Sequence, residues 1–137
     1  MRRTERFEGR IGRTIAESEP WFDEPPHPGE DAPDGVVVLL DDTGFAQLGC
    51  YGSDIATPHI DALAGAGLRS TNFHVTPLCS PTRASLLTGR NPHAVGMRVV
   101  SNFQTGFPNQ KAHISNHAAT MAEVLGDAGY ATFCVGK

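Results

Sequence analysis

Cys79-Ser80-Pro81-Thr82-Arg83 puts a thiol at the head of a run that reads as the start of a helix. Ser80 suits the N-cap and Pro81 the first helical position, and Ala84, Leu86 and Leu87 carry the run to a stop near Gly89. A group at a helix N-terminus meets unpaired backbone N–H donors and the positive end of the macrodipole, so a negative charge is favoured there. Arg83, four residues on, falls about one turn away on the same face, where its guanidinium could bind a carboxylate, another oxyanion or the oxygen of a nucleophile. The same residues also suit a buried structural cysteine beside a surface arginine, the commoner fate of a free thiol.

Asp41-Asp42 is the second constellation. Adjacent carboxylates repel unless a hard cation or an arginine stands between them, and oxygen ligands suit Ca2+ or Mg2+. Alone, Asp41-Asp42-Thr43-Gly44 reads more readily as a solvated turn. His74 and His93 lie near Cys79 in sequence, but most such histidines are hydrogen-bonded structural residues. His113 and His117 have the i, i+4 spacing of a metal pair only if their segment is helical, and its loop-like composition argues against that.

The elements that must position these groups follow an α/β order. Val36-Val37-Val38-Leu39-Leu40 is an unbroken apolar run, the pattern of a strand buried on both faces of a parallel sheet, and it ends at the Asp doublet. Thr57-Pro58 opens a short helix with Ile60, Leu63 and Leu68, and Phe73 to Val75 reads as strand. Residues 91 to 118, rich in Asn, His, Gly and Ser, predict a long irregular loop. Thr120 with Glu123 forms a capping box ahead of Met121, Val124, Leu125 and Ala128, Gly129 is the stop, and Tyr130 to Val135 reads as a further buried strand. Such an order gives right-handed crossovers, with active residues at the carboxyl edge of the sheet.

Composition bounds the function classes. The 137 residues have the length of one domain; 39% are hydrophobic and 19% charged, which is globular, and no apolar run approaches a membrane span. Lys and Arg number 11 against 15 Asp and Glu, so there is no electrostatic footprint for nucleic acid or an anionic membrane. The expectation is no nucleic-acid and no membrane partner. Met1-Arg2-Arg3 has no apolar segment behind it, so no signal peptide is read and a cytoplasmic location is expected. Cys50, Cys79 and Cys134 are odd in number and lack CxxC spacing, which indicates neither a disulfide framework nor a zinc knuckle. Residues 1 to 34 hold five of the ten prolines and read as an extended arm, with Trp21 and Phe22 as anchors; residues 35 to 137 form the second region.

The twelve residues from Cys79 to Arg90 closely resemble the signature of type I, formylglycine-dependent sulfatases: a cysteine, any residue, proline, any residue and arginine, then Leu86-Leu87-Thr88-Gly89. Asp41-Asp42-Thr43-Gly44-Phe45 with Gly49-Cys50-Tyr51-Gly52 is similar to that family's first motif, and Gly129-Tyr130-Ala131-Thr132 leading to Gly136-Lys137 is like its strand that ends in Gly-Lys. Gly12-Arg13-Thr14 and Ala16 to Trp21 also look like the leader of a bacterial arylsulfatase subgroup. The resemblance implies the N-terminal portion of an alkaline-phosphatase-like fold, a mostly parallel sheet flanked by helices. It implies that Cys79 is oxidised to an aldehyde by a formylglycine-generating enzyme. As a hydrate, that group attacks the sulfur of a sulfate ester with one hydroxyl and expels sulfate with the second. Arg83 and Lys137 are then catalytic, and Asp41, Asp42 and the oxidised Cys79 are ligands of Ca2+, of Mg2+ or of another divalent metal.

The family is several times longer than this chain, and its later metal ligands, second lysine and histidines have no counterpart here. The expectation is therefore a truncated catalytic region, inactive by itself. The motifs suit an arylsulfatase-like sulfuric ester hydrolase; a phosphonate or phosphodiester hydrolase of the same superfamily and a non-catalytic remnant are the alternatives.

Overall fold

The computed structural model describes residues 7–22 and 27–137, and the first six residues and residues 23–26 of the proposed arm lie outside that set. The chain divides into two units, residues 33–121 and residues 1–32 with 122–137. Three α-helices are present among the described residues, α1 (Pro58–Ala66), α2 (Cys79–Thr88) and α3 (Met121–Asp127). None is long and apolar enough to cross a membrane.

In the larger unit the core sits against α2. Pro81 and Ala84 are the buried residues of that helix, and Ala84 meets Val95 and Met97, with Ile114 and Ala118 packed at the margin. A proline and an alanine expose little bulk on this face, so the loop backbone can approach it closely. The 91–118 segment is irregular, as its composition predicts, yet it supplies most of the buried side chains. It folds back through an isolated antiparallel bridge between Met97 and Gln110. Ala112 in this segment has φ 61, a left-handed conformation that costs a residue with a Cβ about 1–2 kcal/mol. Glycine relieves that cost but raises the entropy of the unfolded chain, so Ala112→Gly should stabilise by about 0.5 kcal/mol net. A denaturant midpoint that falls in this variant would contradict it.

The helices follow their sequence signals with shifts at the ends. α1 opens on Pro58 as expected. The Thr57 hydroxyl, however, caps nothing in α1: it accepts the Gly49 N–H at 2.8 Å and donates to Asp61 Oδ1 at 2.9 Å. α2 begins on Cys79 with Leu78 as N-cap, so Ser80 and Pro81 stand inside the first turn and not before it. Gly89 (φ 64) and Gly129 (φ 94) take the left-handed conformation that ends a helix, each where the pattern places a stop.

The expected sheet is the main correction. No strand forms among the described residues; Val36–Leu40, Phe73–Val75 and Tyr130–Val135 are unpaired, and pairing is limited to two isolated bridges. Val36 is 86% exposed and Val38 76%, where burial on both faces was expected. A continuous apolar run encodes covering layers on both sides and hydrogen-bonded neighbours at both edges, and within residues 33–121 nothing supplies either. The mostly parallel sheet is therefore not seen, although the run still delivers the chain to the Asp doublet.

The smaller unit holds a closed turn in which the Arg10 and Glu19 backbones exchange hydrogen bonds at 3.0 and 2.8 Å. Ser18 Oγ ties it across, accepting the Gly12 N–H at 3.0 Å and donating to the Thr14 carbonyl at 2.8 Å. Trp21 packs edge-on to Phe7, ring centroids 6.3 Å apart, whereas Phe22 is exposed.

Candidate functional site

Thr76 and Thr82 fix how the chain enters α2. The Thr82 hydroxyl donates to the Thr76 carbonyl at 3.0 Å and lies 2.7 Å from the Thr76 hydroxyl, and the Thr82 N–H reaches the Leu78 carbonyl at 3.2 Å. The second position that the five-residue motif leaves open thus locks the segment ahead of Cys79. Cys79 is the first residue of the helix, half-buried, at the positive end of the helix dipole as the sequence places it.

Arg83 extends from one turn along and meets Asp41. Its Nη2 stands 3.3 Å from Asp41 Oδ1, with the Arg83 side chain 24% exposed and that of Asp41 41%. Two residues 42 apart in sequence are thereby joined. Of the three partners the sequence offered this guanidinium, the structure shows the carboxylate. Asp42 has φ 53, a left-handed conformation that Asp tolerates better than most residues, and the Thr43 hydroxyl closes the turn onto the Asp41 carbonyl at 3.2 Å.

Beyond the doublet, the Gly44 N–H donates to Gln47 Oε1, and Phe45 packs on Tyr51 with centroids 4.4 Å apart. Asp61 then anchors the Gly49-Cys50-Tyr51-Gly52 stretch: its Oδ1 accepts the Cys50 N–H at 2.7 Å, and a Cβ on Gly49 would meet Oδ2 at 2.5 Å. Arg69 lies over the Tyr51 ring at 5.8 Å and donates to the Cys50 carbonyl. Asp61 and Arg69 are not among the residues the sequence singles out: Asp61 stands at N4 of α1, one past the capping-box position, and its partner Cys50 is 11 residues upstream. Cys50 is held through its backbone N–H and carbonyl.

Asp41, Asp42, Cys79 and Arg83 line one cavity of about 380 Å3, with Leu39, Thr43 and Val75 among its walls. Lys137 is not among the lining residues and belongs to the other unit. His74 bonds Asn72 Oδ1 through Nε2 at 2.7 Å, His93 is exposed, and residues 113–117 are not helical, so the His113 and His117 spacing makes no pair on a helix face. Among the described residues no group of three His, Cys, Asp or Glu side chains is gathered for a metal. The two carboxylates and the position-79 side chain are oxygen or potential oxygen donors, which fits part of the shell of a hard cation.

Residues 33–137 match the family model described as Sulfatase. Human arylsulfatase A is 43% identical over 110 residues, covering 77% of this chain and 20% of its own length. Mouse steryl-sulfatase is 37% identical over 118 residues, with 82% of this chain and 19% of its own length covered. The arylsulfatase of Klebsiella aerogenes is 31% identical over 110 residues, covering 79% and 24%. The chain thus spans about a fifth of the length of the curated relatives it matches.

Proposed function

The chain belongs to the sulfatase family, and from that premise we propose that it carries the nucleophile and part of the metal site of a sulfuric ester hydrolase of α/β, alkaline-phosphatase-like fold. One observation carries the reading: Cys79 at the start of α2, the Asp41-Asp42 doublet and Arg83 line a single cavity, with the guanidinium on the first carboxylate.

Each residue has a task that its surroundings suit. Cys79, once oxidised to formylglycine, supplies two hydroxyls on one carbon as its hydrate, the chemistry needed to take up and release sulfate. The positive end of the α2 macrodipole favours the anionic ester and the charge that develops beside it. Arg83 adds a fixed cation at the same end and holds Asp41 in place. Asp41 and Asp42 would hold a divalent cation, and an all-oxygen donor set suits Ca2+ or Mg2+. The role expected of Lys137 rests on the resemblance alone. A sulfate ester is the proposed substrate, and human arylsulfatase A and mouse steryl-sulfatase, among its relatives, carry such esters in their names.

Oxidation precedes catalysis, so the reading is tested at Cys79 itself. A maturing enzyme would read Cys79-Ser80-Pro81-Thr82-Arg83 in the unfolded chain, because Cys79 is half-buried and Pro81 wholly buried once α2 has packed. Co-expressed with a formylglycine-generating enzyme, the chain should yield a Cys79 peptide in which oxygen replaces sulfur and two hydrogens are lost. That peptide should react with hydrazides, while Cys50 and Cys134 stay thiols. Unmodified cysteine at position 79, under conditions that convert a control sulfatase, would withdraw the proposal.

A further inference from the structure

Gln110 is the one polar side chain buried completely among the described residues, 0% exposed, and it lies outside the cavity that Cys79 and the Asp doublet line. Its amide is satisfied at both ends. Oε1 accepts the Val99 N–H at 2.8 Å, and Nε2 donates to the Val100 carbonyl at 3.3 Å and to the Phe103 carbonyl. Its own backbone is pinned as well, its N–H on the Phe107 carbonyl at 3.0 Å and its neighbours paired as Arg98 to Asn109 at 3.1 Å and Lys111 to Gly96 at 2.8 Å. A buried amide so bound fixes the path of residues 99–103, since dropping any of these bonds would strand a desolvated donor or acceptor.

That path leads back to α2. Within the loop that Gln110 shapes, the Ser101 N–H donates to Ser80 Oγ at 3.2 Å, and Ser80 Oγ stands 4.0 Å from Cys79 Sγ. Ser80 occupies a position that the five-residue motif leaves open to any side chain. Here its oxygen is committed to Ser101, which fixes where its hydroxyl stands beside the reactive side chain.

We propose that Gln110 is a positioning residue for the group at position 79, acting through Ser101 and Ser80. The inference rests on Cys79 being the reactive residue. The loop from 99 to 103 meets the first turn of α2 through Ser101, Ser80 is the point of attachment, and Gln110 holds the loop in the shape that makes the attachment. Two polar side chains outside the fixed motif thereby limit how the position-79 side chain is oriented and reached.

The test uses the thiol form of the 137-residue chain and needs no sulfate ester. Alkylation by iodoacetamide at one fixed pH is followed by mass spectrometry at Cys79, with Cys50 as internal control. Ser80→Ala should raise the Cys79 rate about threefold, the scale of one ordinary hydrogen bond. Gln110→Met, which keeps length and loses both bonding ends, should raise it by a similar factor. The double variant should be no faster than either single one, because both act on the same attachment. Ser80→Thr, which keeps the hydroxyl, should return the rate to that of the parent chain, and Cys50 should not change in any of them. A Cys79 rate unmoved by Ser80→Ala overturns the proposal whether or not the Gln110 variant folds, as do effects that multiply in the double variant. The outcome is separable from the proposed function: formylglycine conversion failing would leave this arrangement intact, and alkylation failing would leave the conversion result standing.

Discussion

Serine in place of Cys79 should stop repeated turnover in a catalytically competent protein that carries these residues, with a fall of roughly a million-fold, the scale of losing a nucleophile. The two side chains are close in size, and position 79 is half-buried at the first residue of α2, so the substitution should leave the helix and its packing on Val95 and Met97 in place. What changes is the exit. A serine hydroxyl at the positive end of the helix dipole can still attack the sulfur of an ester and release the alcohol. The sulfate ester that results has no second hydroxyl on the same carbon to expel sulfate. The variant should therefore release at most one equivalent of alcohol per chain and gain the mass of one SO3 group on the peptide that contains residue 79. Cys79→Ala should release none. Sustained hydrolysis by the serine variant would show that the aldehyde hydrate is not the working group. Ser80, adjacent and already a hydroxyl, cannot substitute, since its sulfate ester would likewise lack a second hydroxyl on the same carbon.

The site was more legible in the sequence than the fold that surrounds it, and the residues show why. Cys79 and Arg83 are four apart, so any helix through them brings them to one face, and α2 does so with its start displaced by two residues. The Asp doublet and Arg83 carry opposite charge, which suits the ion pair that forms across 42 positions. The apolar run at Val36–Leu40 specifies burial but not what does the burying, and in this structure it stays exposed. The 91–118 segment shows the reverse: Gly, Asn and His read as loop, yet Val95, Met97 and Gln110 sit in the core because contacts there are made by turns and one bridge, which have no period to detect. Gln110 had no sequence signal at all, since a glutamine among polar neighbours predicts exposure.

Asp41→Ala should cost at least about a thousandfold in turnover by the same competent protein, together with loss of the bound cation, and should change stability little. The activity loss follows from the small donor set: the described residues bring only the two adjacent carboxylates to this cavity, so one deletion halves what the doublet gives a hard cation. Stability is spared because Asp41 contributes no core side chain and its side chain is 41% exposed, where an ion pair at 3.3 Å is worth about 1 kcal/mol or less. Removing the carboxylate also frees Arg83 Nη2 from its place on Asp41, which would confuse a loss of metal with a displaced guanidinium. Asp41→Asn separates the two. Its amide oxygen can still accept from Nη2, so Arg83 keeps its position, but the negative charge that draws the cation is gone. Both variants should lose metal, measured by elemental analysis after gel filtration, and both should lose turnover, with the asparagine form retaining the parent's melting temperature. If either retains near-normal turnover and full metal content, the doublet is a solvated turn after all. If only the alanine variant fails, Asp41 serves this site by holding Arg83 and not as a ligand.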